Sequence, residues 1–188
     1  MGTLEWATAG QVVTERDEDG LPPPGYIGAR AHTNNTGELS AMHHALRRAL
    51  TRPRGAGCEI IHTDSLYAMN MTTGKWMPRR GLAGHRNRDL VTRLRTLWRR
   101  VQRTRPREVE IRHVRSHIQV PGNELADWLA EVGAKGDGGD DMLEGATTWL
   151  RGWLRQQHDG MGGRNDTAPS GPLPGHGGRP PGGPVGVG

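Results

Sequence analysis

His113-Val114-Arg115-Ser116-His117-Ile118-Gln119-Val120-Pro121-Gly122-Asn123-Glu124-Leu125-Ala126-Asp127 is the stretch on which the reading of this chain turns. Val109 to Val114 reads as a strand, and Asn123 to Ala134 reads as a helix with Leu125, Trp128, Leu129 and Val132 on one side. The stretch therefore runs from a strand through a loop into a helix, and it carries a histidine, His117, and a carboxylate, Asp127.

Two shorter stretches upstream have the same character. Ile61-His62-Thr63-Asp64-Ser65 places a carboxylate where the short strand Glu59 to Thr63 ends. Thr33-Asn34-Asn35-Thr36-Gly37-Glu38-Leu39 places another in the first turn of a helix. Hard divalent cations such as magnesium take oxygen ligands and keep several waters, so a few convergent carboxylates suffice to hold them. Two such ions a few ångströms apart can activate a water and steady the leaving oxygen of a phosphodiester. Strand ends and helix starts suit this chemistry because rigid elements fix the carboxylate geometry.

The remaining chain supplies a scaffold. Leu4 to Glu15 and Tyr26 to His32 read as two strands of a hairpin around a turn-rich loop. A helix from Gly37 to Leu50 follows from Leu39, Met42, Leu46 and Leu50, with Asn35 and Glu38 as its capping pair and Pro53 as its stop. Ser65 to Met71 is expected to be a short helix. Leu90, Leu94, Leu97, Trp98 and Val101 form the apolar stripe of a long one, which presents Arg95, Arg99 and Arg103 on the opposite face and ends at Pro106. The order of elements predicts an α/β or mixed α+β domain with helices covering a sheet. Met142 to Gln157 reads as a further amphipathic helix using Leu143, Trp149, Leu150, Trp153 and Leu154. Beyond His158 the chain is rich in glycine and proline without apolar periodicity, which reads as a disordered tail.

Composition narrows the partner. A formal charge of +5 and a pI near 10.3 favour an anionic partner, nucleic acid before a membrane surface. The single cysteine, Cys58, cannot form an intramolecular disulfide, and no apolar run reaches membrane-spanning length or forms a signal segment. These features are read as those of an intracellular protein, cytoplasmic or nuclear.

Taken in order, Thr-Asn-Asn-x-x-Glu-Leu, Thr-Asp-Ser and Val-x-x-His followed by Gly-Asn-Glu-x-Ala-Asp-x-Leu-Ala resemble the type 1 ribonuclease H family, including versions fused to retroviral and retrotransposon reverse transcriptases. Gly74-Lys75-Trp76 and Asn87-Arg88-Asp89-Leu90 add to the likeness, which covers Trp6 to Ala134. The resemblance implies a ribonuclease H-like fold with a mixed five-stranded sheet flanked by helices. It also implies endonucleolytic hydrolysis of the RNA strand of RNA–DNA hybrids, leaving 3′-hydroxyl and 5′-phosphate ends. Carried over by position, Glu38, Asp64 and Asp127 would bind two magnesium ions, with manganese as a substitute. His117 would assist proton transfer or product release. Asn34, Asn35, Ser65, Trp76, Arg79, Arg80 and Asn123 would contact the hybrid, and a reverse-transcriptase polyprotein is the expected larger context. Between Arg79 and Arg107 stand eleven arginines against one acidic residue, Asp89, which resembles a basic protrusion laid against the hybrid.

Each residue alone has an ordinary reading beside this one. Glu38 serves equally as a capping residue, Asp64 as the N-cap of the next helix, and Asp127 as a solvated side chain. His117 serves as a loop histidine, Trp76 as core, and the arginines as one solvated helix face. The joint order and spacing favour the family reading.

The resemblance also implies a further aspartate on a first strand, which would fall at or before Met1. Asp17 and Asp19 lie in the hairpin loop and do not replace it. The expected division is residues 1–135 as a ribonuclease H-like domain without its N-terminal strand, 136–158 as a C-terminal amphipathic helix and 159–188 as the tail. Met1 is then read as an internal start within a longer active protein. The alternatives are a catalytically inactive remnant that binds nucleic acid, and a missing strand supplied by a partner chain.

Overall fold

The computed structural model describes residues 4–14, 23–55, 57–79, 81–139 and 141–162, with side chains through His158. Among these residues seven regular elements follow one another: α1 (Asn34–Thr51), β1 (Glu59–Thr63), α2 (Leu66–Thr73), α3 (Arg88–Thr104), β2 (Val109–His113), α4 (Pro121–Lys135) and α5 (Leu143–Gly162). The two strands pair in parallel, in the register Glu59 to Val109 through Thr63 to His113. Parallel neighbours need a long crossover, and here α2 and α3 provide it. This is the mixed α/β architecture expected from the order of elements.

Two apolar clusters hold these elements. In the larger, Leu39, Met42 and Leu46 of α1 meet Ala68 and Met71 of α2, Leu90, Val91, Leu94 and Val101 of α3, Ile61 of β1 and Val109 of β2. The smaller joins Leu125, Trp128 and Leu129 of α4 to Ala146, Trp149 and Leu150 of α5, with Leu4 and Ala7 of the N-terminal segment packed in. Trp128, Trp149 and Trp153 stack in sequence, with centroids 5.8 and 6.4 Å apart. Aromatic offset stacking of this kind adds roughly 0.5–1.5 kcal/mol per pair to area burial. No helix among the described residues is long and apolar enough to cross a membrane.

Several expectations are corrected. The N-terminal hairpin is absent among the described residues, and the implied five-stranded sheet has two strands there. Residues 4–14 and 23–32 make only isolated bridges, Ala9 with Gly139 and Thr14 with Ala29. The reason is packing: Ala7 is buried against α4 and α5, and Gly28 lies against the start of α3. At Gly28 φ is +105° and a Cβ would sit 2.6 Å from the Leu90 nitrogen, so only glycine fits this approach. The expected loop at 16–25 falls mostly, and the 159–188 tail almost wholly, outside the described residues.

The cap of α1 also differs. Thr33 is the N-cap and Thr36 its reciprocal partner, because the helix already begins at Asn34 and the Thr33 hydroxyl accepts from the Thr36 N–H at 3.2 Å. Glu38 is therefore free of capping. On α3, Arg95 does not share the solvated face with Arg99 and Arg103. It is 7% exposed, drawn inward by backbone carbonyls of Met71 and Trp76.

His43, half-buried on α1, has its pKa lowered from 6.5 to about 4, first by burial and then by His44, Arg47 and Arg93. Its Nδ1 is buried without a hydrogen-bond partner. The folded state thus favours the neutral ring, so its contribution to stability is full above pH 6.5 and lost as pH falls toward 4. Substituting His43→Leu should flatten this part of the stability profile. Allowing for solvent screening of a half-buried ring, the wild-type penalty that the variant escapes is on the order of 1 kcal/mol, read as the difference in Tm between pH 7 and pH 4.

Candidate active site

Both strands end at the same edge of the sheet, and the chemistry gathers there. Beyond β1 the ladder extends by one bond, Val114 N–H to the Thr63 carbonyl at 2.9 Å, and His113 Nε2 lies 3.2 Å from the Asp64 carbonyl oxygen. Asp64 follows β1 directly. The N-cap of α2 is Ser65, whose hydroxyl accepts from the Ala68 N–H at 3.1 Å, so the carboxylate of Asp64 is not used as a cap. Glu38 reaches the same place from the first turns of α1, and Asp127 from the second turn of α4.

The charge of Asp64 acts on both Glu38 and Asp127. Burial raises the Glu38 pKa, and the negative charges of Asp64 and Asp127 raise it further. For Asp127, burial again leads, followed by Asp64, while His117 pulls in the opposite direction and Glu124 adds to the rise. Like charges gathered in a partly desolvated place disfavour ionisation, and a cation relieves that cost.

The loop before α4 supplies a fourth group, His117, and the first turn of α4 a fifth, Glu124. His117 Nδ1 lies 3.6 Å from Asp127 Oδ2. One ligand atom each from His117, Glu124 and Asp127 lies within 4.8 Å of the others. The loop holds this shape with positive φ at His117 (+55°) and Gln119 (+60°), a region where side chains other than glycine are strained. Glu124 braces it by accepting the Gln119 N–H at 3.2 Å. Glu124 was not assigned a role from the sequence. Its signal was the i,i+3 spacing to Asp127, which puts both on one helix face.

Donor chemistry fits a hard divalent cation. The set is dominated by carboxylate oxygens, and Asp127 Oδ2 is buried without a hydrogen-bond donor. Among the described residues, His117, Glu124 and Asp127 are the side chains whose ligand atoms converge closely enough to hold an ion.

The other expected contacts divide. Asn34 and Asn35 are exposed in the first turn of α1, and Asn123 is half-buried with its Nδ2 unpartnered, four residues before Asp127. Ser65 is taken up by capping. Trp76 is 48% exposed and therefore not core, and Arg79 is exposed beside it in sequence. Arg80 lies outside the described residues.

Helices around a parallel strand pair, with carboxylates gathered where the strands end, define an α/β protein with an acidic edge site. The family model for RNase H matches residues 7–135, and the chain belongs to the RNase H family. A Bordetella bronchiseptica protein named Ribonuclease H is 40% identical over 111 residues, covering 57% of this chain and 68% of that one. Its Bordetella pertussis counterpart is 40% identical over 109 residues, covering 56% and 66%. A Saccharomyces cerevisiae Ribonuclease H is 30% identical over 131 residues, covering 62% of this chain and 37% of its own. The chain thus spans about two thirds of the bacterial proteins and just over a third of the yeast one. No solved structure matches it at a significant level.

A raised carboxylate pKa means that ionisation opposes folding. The contribution of Glu38 is present below its ordinary value of 4.5 and lost as pH rises through the raised one. In chelator at neutral pH, Glu38→Gln should therefore stabilise the fold by on the order of 1 kcal/mol after allowance for solvent screening. The gain should vanish below about pH 4.5, as followed by denaturant melts across pH.

Proposed function

We propose that this chain is an endoribonuclease that hydrolyses the RNA strand of RNA–DNA hybrids at the acidic edge of its sheet. The observation that carries the reading is that Glu38 on α1 and Asp127 on α4 both have pKa values raised, first by burial and then by the charge of Asp64, which follows β1. Family membership supplies the substrate class, and the RNase H family works with divalent metal ions.

In this reading two magnesium ions, replaceable by manganese, supply the polarisation of water and the stabilisation of the leaving oxygen when bound. The chain does the rest. Glu38, Asp64 and Asp127 present oxygens from rigid supports, at the end of a strand and on two helices. Asp127 Oδ2 faces His117 Nδ1, which orients the ring and leaves Nε2 to accept or return a proton at the departing oxygen. Asn34, Asn35 and Asn123 are placed to bond the hybrid backbone, where a 2′-hydroxyl marks the RNA strand. Ser65 offers its backbone, Trp76 a stacking face, and Arg79 and Arg80 charge for phosphates. Arg99, Arg100 and Arg103, among the exposed arginines of α3, add salt-sensitive attraction.

One observation favours a second reading, in which the chain binds hybrids without cutting them. Residues 4–14 hold Glu5 and no aspartate, so the described N-terminal segment brings no aspartate to the site.

Incubation of the purified chain with a labelled hybrid in magnesium or manganese should release RNA fragments with 3′-hydroxyl ends. Asp64→Asn should lower the rate at least about a thousandfold, in line with loss of a group needed in the transition state. Cleavage that survives excess chelator would overturn the metal-dependent reading. Salt-sensitive binding with no cleavage under any divalent ion would support the binding reading instead.

A further inference from the structure

Arg95 is an anomaly on α3. Its neighbours at one-turn spacing, Arg99 and Arg103, are exposed, whereas Arg95 is 7% exposed. No carboxylate pairs with it among the described residues. Instead Nε donates to the Met71 carbonyl at 2.8 Å, Nη2 to the Trp76 carbonyl at 2.6 Å, and Nη1 reaches Met77 Sδ at 3.5 Å. Met71 lies in the last turns of α2, where the helix dipole is negative and a buried cation is stabilised.

What these bonds tie down is a short surface loop. Gly74 ends α2 in the left-handed region, at φ +80°, and the chain turns out toward solvent. The Trp76 N–H returns to the Asn70 carbonyl at 3.1 Å, so both peptide groups of Trp76 are held, one by α2 and one by Arg95. The side chains of this fixed backbone face outward: Trp76 is 48% and Met77 60% exposed. Lys75 and Arg79 flank them and are exposed too. A rigid loop that displays an indole between cations offers a flat apolar face that can lie against one strand of a hybrid, with charge for its phosphates.

We propose that Arg95 is a positioning residue for nucleic-acid binding: its guanidinium clamps the α2–α3 connection so that Trp76 stands ready as a stacking platform. The inference rests on the hybrid-binding reading above and adds to it a residue that touches no substrate. A planar guanidinium can bridge two carbonyls and a sulfur at once, which a single ammonium cannot. Fixing the loop beforehand removes an ordering cost that binding would otherwise bear.

The test compares Arg95→Met, Arg95→Lys, Trp76→Ala and the Arg95→Met/Trp76→Ala double variant in the full chain. Amide hydrogen exchange over residues 74–77 reads the loop. Fluorescence anisotropy of a labelled RNA–DNA hybrid in EDTA at fixed salt reads affinity, and magnesium kinetics separate KM from kcat. Arg95→Met should speed exchange at Trp76 while α1 and β1 stay protected, and raise Kd about fivefold to tenfold. The effect should fall on KM rather than kcat, with Arg95→Lys intermediate. In the Trp76→Ala background, Arg95→Met should add nothing to Kd, because its effect passes through the indole. Unchanged exchange at 74–77, or a loss that adds in full to that of Trp76→Ala, overturns the proposal. If Arg95→Met loses protection throughout, the same two criteria are applied to Arg95→Lys and its double variant. A wild-type chain that binds no hybrid overturns the function proposed above before any variant is compared, and the platform falls with it. Loop exchange then decides separately whether Arg95 orders the backbone.

Discussion

The parallel register of β1 and β2 is the constraint on which the rest depends. Pairing Thr63 with His113 makes both strands finish at one edge. Asp64 and the loop bearing His117 therefore leave the sheet side by side, and α4 begins close enough to return Asp127 toward Asp64. An antiparallel pairing of the same two segments would send these groups to opposite ends. The general tendency of open α/β sheets to place their sites beyond the carboxyl ends of strands has the same origin.

Holding that edge together has an energetic cost. Glu38 and Asp127 are partly desolvated and repelled by their acidic neighbours, which is why both resist ionisation. The apolar clusters offset this from two sides. Leu39 and Leu46, fully buried, fix α1 and with it Glu38, while the packing of α4 on α5 through Leu125 and Trp128 fixes Asp127. The site lies where supports from the two clusters meet. A cation there would turn repulsion into attraction, so stability and metal affinity are coupled through the same side chains.

Much of this was legible in the chain itself. Apolar periodicity located α3, α4 and α5 to within a few residues, and the strand Glu59–Thr63 matched at both ends. Periodicity works there because each element buries one face. The reading failed for residues 4–14 and 26–32, where strand-like segments on either side of a turn-rich loop suggested a hairpin but the segments pack on α3, α4 and α5 without forming a ladder. Strand pairing is a property of two partners, and a local pattern records only one of them. The cap of α1 was misplaced for a smaller reason of the same kind: Thr33, Asn34 and Asn35 are all competent caps, and backbone geometry selects among them.

By itself the sequence determined the chemistry on offer: which segments could bury a face, which carboxylates lay next to element ends, and a positive charge suited to a phosphate backbone. It also carried the family likeness, since order and spacing survive without coordinates. Only the tertiary structure decided which groups meet. It joined Glu124 to His117 and Asp127, released Glu38 and Asp64 from capping, and turned Arg95 from the solvated face toward the carbonyls of Met71 and Trp76. Those outcomes depend on distances between residues far apart in the chain, and such distances are set by packing rather than by any local pattern.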